Sequence, residues 1–475
     1  MKIGETWQLH DDEALRKIDE AAVRLLARSG CRIEHEGLLE IMEGAGCRVD
    51  GAAKRCHIPE KLVRDVVASF GGKLSPDVEI KGRWNPQNHL GHGGSYPHLL
   101  DWPSGRRRLA TKQDVIDMAR MGHALPEFTA LGRVLTCSEV DPRIEPLWTT
   151  LAIARTTDKP VGQGEIFYAD HIEPLVRMGE VLTGKKDDTS LVVSCDFFIA
   201  PLTMERKQAE CFLEKRRFGI VNVPGTMPIS GMSAPVTIAG TVTIAVAELL
   251  AGWVMGYVVN PEVYGFGIVA SGSLDMRTAS ACFGSPEALL QDMTTVQLCR
   301  RLYNMQVYPA TGYVDCKRPG LEAVFQKMYP LVSSAFGNWL HPPADGLLSA
   351  GQDYSPVQHM LDAEIHGAVD RFYGSFAIDE ETLALELTES IMRGDSVNFL
   401  DTEHTTRHFK SEQWYPRWFD RSLWQGESHE REAEREMLNR IDRYCKDVIE
   451  RYDPPDIDGE KIRELERIVA AFERE

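Results

Sequence analysis

The 475-residue sequence has no CxxC pair, no GxGxxG or GxxxxGK[ST] loop and no HExxH helix. These absences exclude, in turn, a cysteine-based zinc or redox motif, a dinucleotide- or P-loop-type phosphate cradle, and a zincin-type metal site. Excess positive charge is missing too: 53 Lys and Arg stand against 71 Asp and Glu, a net charge of -18. Such a chain repels a nucleic-acid backbone or an anionic bilayer, so neither partner is expected. The short cluster Arg106-Arg107-Arg108 reads as a charged turn or strand edge. Ten cysteines are scattered without ligand or disulfide spacing, which fits a reducing cytoplasm. The N-terminus, MKIGETWQLHDDEALRKIDE, lacks the basic start and apolar block of a signal peptide. One run is long and nearly apolar, Pro235 to Pro261, but it carries Glu248 near its middle and lacks basic flanks. It reads as a buried helix packing on a sheet.

What is present is a globular composition, 43% hydrophobic and 26% charged, with enough length for a large core. Leu15, Ile18, Ala22, Leu25 and Leu26 recur at helical spacing, and Gly30 stops that helix. A second helix is expected from Glu36 to Ala45, and HIPEKLV at 57–63 reads as a strand end followed by Pro59 in a helix's first turn. Residues 1–85 therefore form an N-terminal helical cap. Pro103-Ser104-Gly105 turns a hairpin, and Thr111 caps a helix through about Ala119.

From there strands alternate with helices. The strands are expected at Phe128–Thr136, Pro160–Gly164, Leu191–Ile199, Gly219–Val223, Val263–Ala270, Gln306–Tyr313 and Ala335–Leu340. The intervening helices are Glu145–Thr156, His171–Leu182, Thr203–Lys215, Pro235–Val259, Pro286–Tyr303 and Leu321–Val332. With an eighth strand near Leu90–Tyr96 or past Ser349, this is the count of a (β/α)8 TIM barrel over residues 86–378. Residues 379–475 read as a C-terminal helical extension whose last helices, Glu430–Arg451 and Lys461–Glu473, are densely charged and read as solvated helices on a partner or subunit surface.

Five stretches, in order, resemble the trimethylamine methyltransferase family: AAVRLLARSGCRIEHEGLLEIMEGAGCRVD, DWPSGRRRLATKQDV, SGMSAPVTIAGTVTIAVAELLAGWVMGYVVNP, SGSLDMRTASACFGSPEALL and YPATGYVDCK. The likeness spans nearly the whole chain. It implies a TIM barrel whose top face presents a methylamine to a corrinoid (cobalamin) carried by a small separate protein, and a homo-oligomer. Family members acting on trimethylamine carry pyrrolysine close to where this sequence has Asp315-Cys316-Lys317. With ordinary residues there, the chain looks like the branch of glycine betaine:corrinoid methyltransferases. The chain lacks a DxHxxG-type loop of its own for cobalt, and no bound metal is expected.

A quaternary nitrogen already carries its charge and leaves as a neutral amine, so the resemblance asks for a dry, oriented pocket and not for an acid or a metal. Aromatic faces suit a cation with no N–H to donate. The candidates are Phe197 or Phe198, Tyr264, Phe266, Tyr313 and Trp339, with Phe167 and Tyr168 after the second strand; plain packing is the competing role of each. Glu165, Asp196, Asp275 and Asp315 are the acidic candidates, against loop capping or a salt bridge, such as Asp275 with Arg277. Arg277 and His341 are candidates for a betaine carboxylate. The glycine loops Pro224-Gly225-Thr226, Ser230-Gly231-Met232-Ser233 and Ser271-Gly272-Ser273 allow close approach of a planar macrocycle, or make tight turns. Two histidine pairs, His89/His92 and His404/His408, lack a third ligand. A metal-dependent TIM-barrel hydrolase or lyase, and a non-catalytic quaternary-amine-binding barrel, are the rival readings.

Overall fold

Capping residues set several of the helix starts. Asp11 accepts from the amide of Ala14 to begin the helix Asp12–Arg28, and Thr111 and Asp114 form a reciprocal capping box at the start of Lys112–Ala124. Ser285 and Ser355 each cap a helix whose first residue is proline, Pro286–Tyr303 and Pro356–Tyr373. Each such cap is worth about 1 kcal/mol. In the computed structural model these helices alternate with short strands in a mixed α/β chain; the structure describes residues 8–70, 94–162, 164–262, 265–309, 312–336, 345–374, 376–395, 398–424 and 433–474.

Parallel pairing follows two arcs, the first built from paired strands and single bridges and the second from four strands. In the first, Asp353–Tyr354 pairs with His98–Leu99, Tyr96 with Leu135, and Leu131 with Val161. In the second, Asp196–Phe197 pairs with Pro224–Gly225, Gly225–Thr226 with Ile268–Val269, and Gly267–Val269 with Val307–Pro309. Two backbone hydrogen bonds, Ser349 N to Cys316 O at 2.8 Å and Ala350 N to Val314 O at 2.7 Å, connect the end of the second arc to the chain that re-enters the first. A helix follows each of these six strands and two bridged segments.

The apolar run forms the helix Ile238–Val259, and 78% of its most apolar window is buried inside the protein. It packs against the N-terminal helix Asp12–Arg28, against Pro286–Tyr303 and against the second arc. Its one acidic residue, Glu248, accepts from the amide of Leu202 at 2.7 Å and from the Thr226 hydroxyl at 2.6 Å. Burial pushes its carboxyl up to about 7.

Four details differ from the sequence expectations. The first 70 residues carry strands as well as helices: Cys31–Ile33, Arg48–Asp50 and Arg55–His57 form a small sheet that pairs with Thr203–Met204 of the body. The expected strand Ala335–Leu340 starts inside a helix, Leu321–Phe336, because Leu331 and Ala335 pack on Ile365 and Val369 of the next helix; residues 337–340 lie outside the described residues. Pro224-Gly225-Thr226, expected as a loop, is a buried strand, and the pairing expected at Gly219–Val223 falls there instead. The two charged C-terminal helices, Ala433–Glu450 and Gly459–Arg474, are not free: Leu438, Ile441 and Cys445 of the first, and Leu465 and Phe472 of the second, are buried against the chain's own helices.

Candidate functional site

The alternation of a strand decides what faces inward. Along Cys195–Phe198 the odd residues meet Gly225 across the ladder: a Cβ added to that glycine would sit 2.3 Å from Cys195 Sγ and 2.7 Å from the Phe197 ring. Glycine at 225 is thus required by the close approach of these two side chains. The even residues point the other way. Phe198 is buried in the core near Gly252 of the Ile238–Val259 helix, and Asp196 is buried in an ion pair with Lys215 and, at 3.4 Å, with Arg216.

Glu165 lies on the same inward side. The residue is exposed, yet the protein around it is dense enough to disfavour its charged form, as for a carboxylate in a recess. Burial holds its pKa above the ordinary carboxylate value, against the opposing pull of Arg133 and Lys215. Arg133 does not neutralise it outright: its guanidinium pairs with buried Glu145 at 3.1 Å and donates to the backbone carbonyl of Glu165.

The field of Glu165 reaches residues from both arcs. It adds to the burial that raises the Tyr96 and Tyr313 hydroxyls and the Cys195 thiol, taking Tyr313 to about 12. Phe283 packs against Tyr313 with ring centroids 5.5 Å apart, and Tyr96 stacks on Tyr354 at 6.0 Å. An exposed carboxylate within electrostatic reach of Tyr96, Cys195 and Tyr313 is suited to an organic cation that donates no hydrogen bond.

The remaining sequence candidates fall elsewhere. Phe266 precedes its strand and packs edge-on against Tyr308 at 4.6 Å. Asp315 accepts from the amides of Phe283 and Gly284, fixing that loop. Asp275 pairs with Arg277, whose side chain is 89% exposed on the hairpin Gly272–Asp275 and Ser280–Cys282, so neither reaches the cavity. Ser233 accepts from the Ile229 amide and Gly231 has φ +85°, so this run makes a tight turn that leaves Met232 exposed. Ser271 donates its amide to buried Asp292, and Gly272 pairs in the hairpin strand. His404 and His408 contact the carbonyl and carboxylate of Glu381. Tyr264, Trp339, His341, His89 and His92 lie outside the described residues. Among the described residues, no group of three or more His, Cys, Asp or Glu is placed to hold a metal ion.

Loops after successive strands carry exposed apolar side chains: Phe167, Ile199, Met232, Val236 and Met276. They rim the end of the strands at which Glu165 opens. Sequence reasoning missed Tyr96, Cys195 and Phe283. The i, i+2 relation to Phe197 was available for Cys195; nothing local marks the other two, whose role depends on long-range packing.

Comparison with known proteins follows the same line. The family model described as Trimethylamine methyltransferase (MTTB) matches residues 2–475. The trimethylamine methyltransferase MttB of Desulfitobacterium hafniense (strain DSM 10664 / DCB-2) is 25% identical over 418 residues, covering 84% of this chain and 82% of that protein. The glycine betaine methyltransferase of Desulfitobacterium hafniense (strain Y51) is 24% identical over 479 residues, covering 97% and 96%. Among solved structures, the Methanosarcina barkeri monomethylamine methyltransferase (MtmB) aligns with a TM-score of 0.49 and 11% identity over 96% of this chain and 91% of that one. With the family model matched from residue 2 to the last residue, this chain belongs to the trimethylamine methyltransferase family.

Proposed function

We propose that this protein transfers a methyl group from a quaternary ammonium compound, betaine-like in class, to the reduced cobalt of a corrinoid presented by a small separate protein in the cytoplasm. The observation that carries the reading is the exposed Glu165 carboxylate, held above its ordinary pKa by the protein around it and within electrostatic reach of Tyr96 and Tyr313. The two arcs, in this reading, are halves of one (β/α)8 barrel. Its support is eight parallel pairing segments, six strands and two single-bridged stretches, each followed by a helix, with residues of both arcs acting on one another electrostatically. The cavity then opens where barrels keep their functional groups, at the C-terminal ends of the strands. Ten cysteines, all free, fit a reducing compartment.

Glu165 supplies charge complementarity at the methylated nitrogen. The faces of Phe197, Tyr96 and Tyr313 add cation–π attraction of about 0.5–2 kcal/mol per ring. The enclosed cavity keeps water from the cation and holds one methyl group toward the mouth, so that orientation and desolvation do the catalytic work. The residues at the mouth fit the acceptor: the apolar rim of Ile199, Met232, Val236 and Met276 suits an apolar macrocycle and its carrier. The corrinoid supplies the nucleophile that takes the methyl group, and the amine departs neutral without a proton from the protein. The relatives are named for trimethylamine and for glycine betaine; ordinary residues at 315–317 favour the quaternary class.

Mixing the protein with cob(I)alamin and single amines tests this. Methylcobalamin forms from a betaine or from tetramethylammonium, with little or none from trimethylamine. Fast turnover of trimethylamine with no response to any quaternary compound overturns the reading.

A further inference from the structure

Two cations carry their field to Glu165, Arg133 and Lys215, and neither makes a hydrogen bond to its carboxylate. Each is held by a carboxylate of its own. Lys215, fully buried, pairs with Asp196, which also takes Arg216 at 3.4 Å. Arg133, 4% exposed, pairs at 3.1 Å with Glu145, 3% exposed.

Glu145 is gripped through both of its oxygens. It is the first residue of the helix Glu145–Ala154, where free amides and the helix dipole favour negative charge. Its Oε1 accepts from the amide of Cys137 at 3.0 Å and from the hydroxyl of Thr149, one turn on, at 2.8 Å; its Oε2 is left for Arg133. The guanidinium meanwhile lies beside Glu165. Its second terminal nitrogen donates to the backbone carbonyl of that residue, and Gly164 leaves room for it, since a Cβ there would strike the guanidinium. An arginine this near a free carboxylate closes on it in a two-pronged pair unless a better partner holds it. Such a pair would cancel the negative charge at Glu165 and leave a cation without N–H groups nothing to complement it.

We infer that Glu145 is a positioning residue that acts through Arg133: by holding the guanidinium off the Glu165 carboxylate, it keeps that carboxylate free for the substrate's cationic nitrogen. The inference rests on the role proposed for Glu165. Asp196 stands in the same relation to Lys215, but it also holds Arg216, so Glu145 is the cleaner probe. The other ionisable groups around the pair are His171 and Cys137, and around Glu165 they are Tyr96, Cys195 and Tyr313. Burial pushes the histidine below its ordinary value and the thiols and phenols above theirs, so all five are neutral at pH 8 and leave the charge at Glu165 to Arg133 and Lys215.

Carbon-13 NMR of carboxyl-labelled glutamate, with E165Q to assign the signal, reads the ionisation of Glu165 whether or not a cation binds. E145Q keeps the oxygen that serves Cys137 and Thr149 and releases Arg133. The Glu165 midpoint is expected to fall below that of the wild type, and tetramethylammonium to bind roughly tenfold more weakly at pH 8. R133M/E145Q removes the released cation, so the midpoint is expected to rise above that of the wild type and the affinity to return to within about threefold of it. Structural damage at position 145 would not be undone by a second substitution. Where E145Q alone does not fold, the double variant against the wild type carries the test through the raised midpoint and the kept affinity. A midpoint unmoved in folded E145Q, or a folded double variant that binds no better than E145Q or loses the wild-type affinity, would overturn the inference. The expected midpoint shifts with no cation bound by the wild type would overturn the role of Glu165 and leave Glu145 as the group that holds Arg133 away from it.

Discussion

Cys195, Asp196, Phe197 and Phe198 follow one another along one strand, yet they divide between two environments. The inward pair, Cys195 and Phe197, crowds Gly225, and the charge of Glu165 acts on the Cys195 thiol. The outward pair is structural: Asp196 holds Lys215 and Arg216, and Phe198 fills the core under the Ile238–Val259 helix. The two acidic groups concerned, Glu165 and Asp196, differ in the same way. One has its nearest guanidinium committed to Glu145, and the other is spent on two buried cations. Residue type at a strand end therefore says little about role, and the face on which it falls says much.

The comparison breaks most visibly at Asp196. Asp196→Asn leaves Lys215 and Arg216 buried without a counter-charge and is expected to cost about 3–5 kcal/mol in denaturant unfolding. Glu165→Gln, by contrast, is expected to keep or raise stability at pH 8, because burial already disfavours the charged form. Comparable losses for the two would erase the distinction between the faces. The phenylalanines sharpen it: Phe198→Ala is expected to lose about 3–5 kcal/mol of stability. Phe197→Ala is expected to lose roughly 0.5–2 kcal/mol of cation binding instead, read as a rise in the amine's Kd with an unfolding midpoint near that of the wild type.

Glu248 supplies a pH test on the outward side. Its folded pKa, about 7, is raised from 4.5, so the folded state holds its proton longer than the unfolded chain does. Stability from the neutral form is complete below 4.5 and is lost as pH rises to about 7, a change of about 3 kcal/mol. Glu248→Gln, in which the Thr226 hydroxyl can turn to satisfy the amide, is expected to remove that slope. A slope unchanged in the variant assigns it to another group. The smallest effect belongs to Arg277→Ala. With its side chain in solvent and paired to Asp275, its loss is expected to leave the unfolding midpoint unchanged and betaine affinity within about twofold, measured by titration.

Much of this fold is legible in the sequence, because caps and periodicity are local. Asp11, Thr111 and Ser285 stand at the starts of expected helices, and the apolar run around Glu248 announces a core helix, whereas the helix Pro356–Tyr373 is not among those expected. The failures are of two kinds. Ala335–Leu340 shows that a short apolar run does not separate strand from helix by period alone; the contact of Leu331 and Ala335 with Ile365 settles it. Asp275, Arg277 and Asp315 have the chemistry of a site and stand near strand ends, but they face solvent or their own loops. Glu165 and Phe197 have no stronger local signal, and only the packing of distant strands brings the Glu165 charge within reach of Tyr96, Cys195 and Tyr313.

The central claim is that the cavity around Glu165 binds an organic cation by charge and aromatic faces. Titration calorimetry of tetramethylammonium into the wild type and into Glu165→Gln, between pH 5 and pH 8, tests it most directly. The expected result is binding in the wild type that weakens toward acid, with its midpoint above the ordinary carboxylate value of 4.5, and at least tenfold weaker, pH-independent binding in the variant. Equal affinity in both proteins across that range would contradict the account.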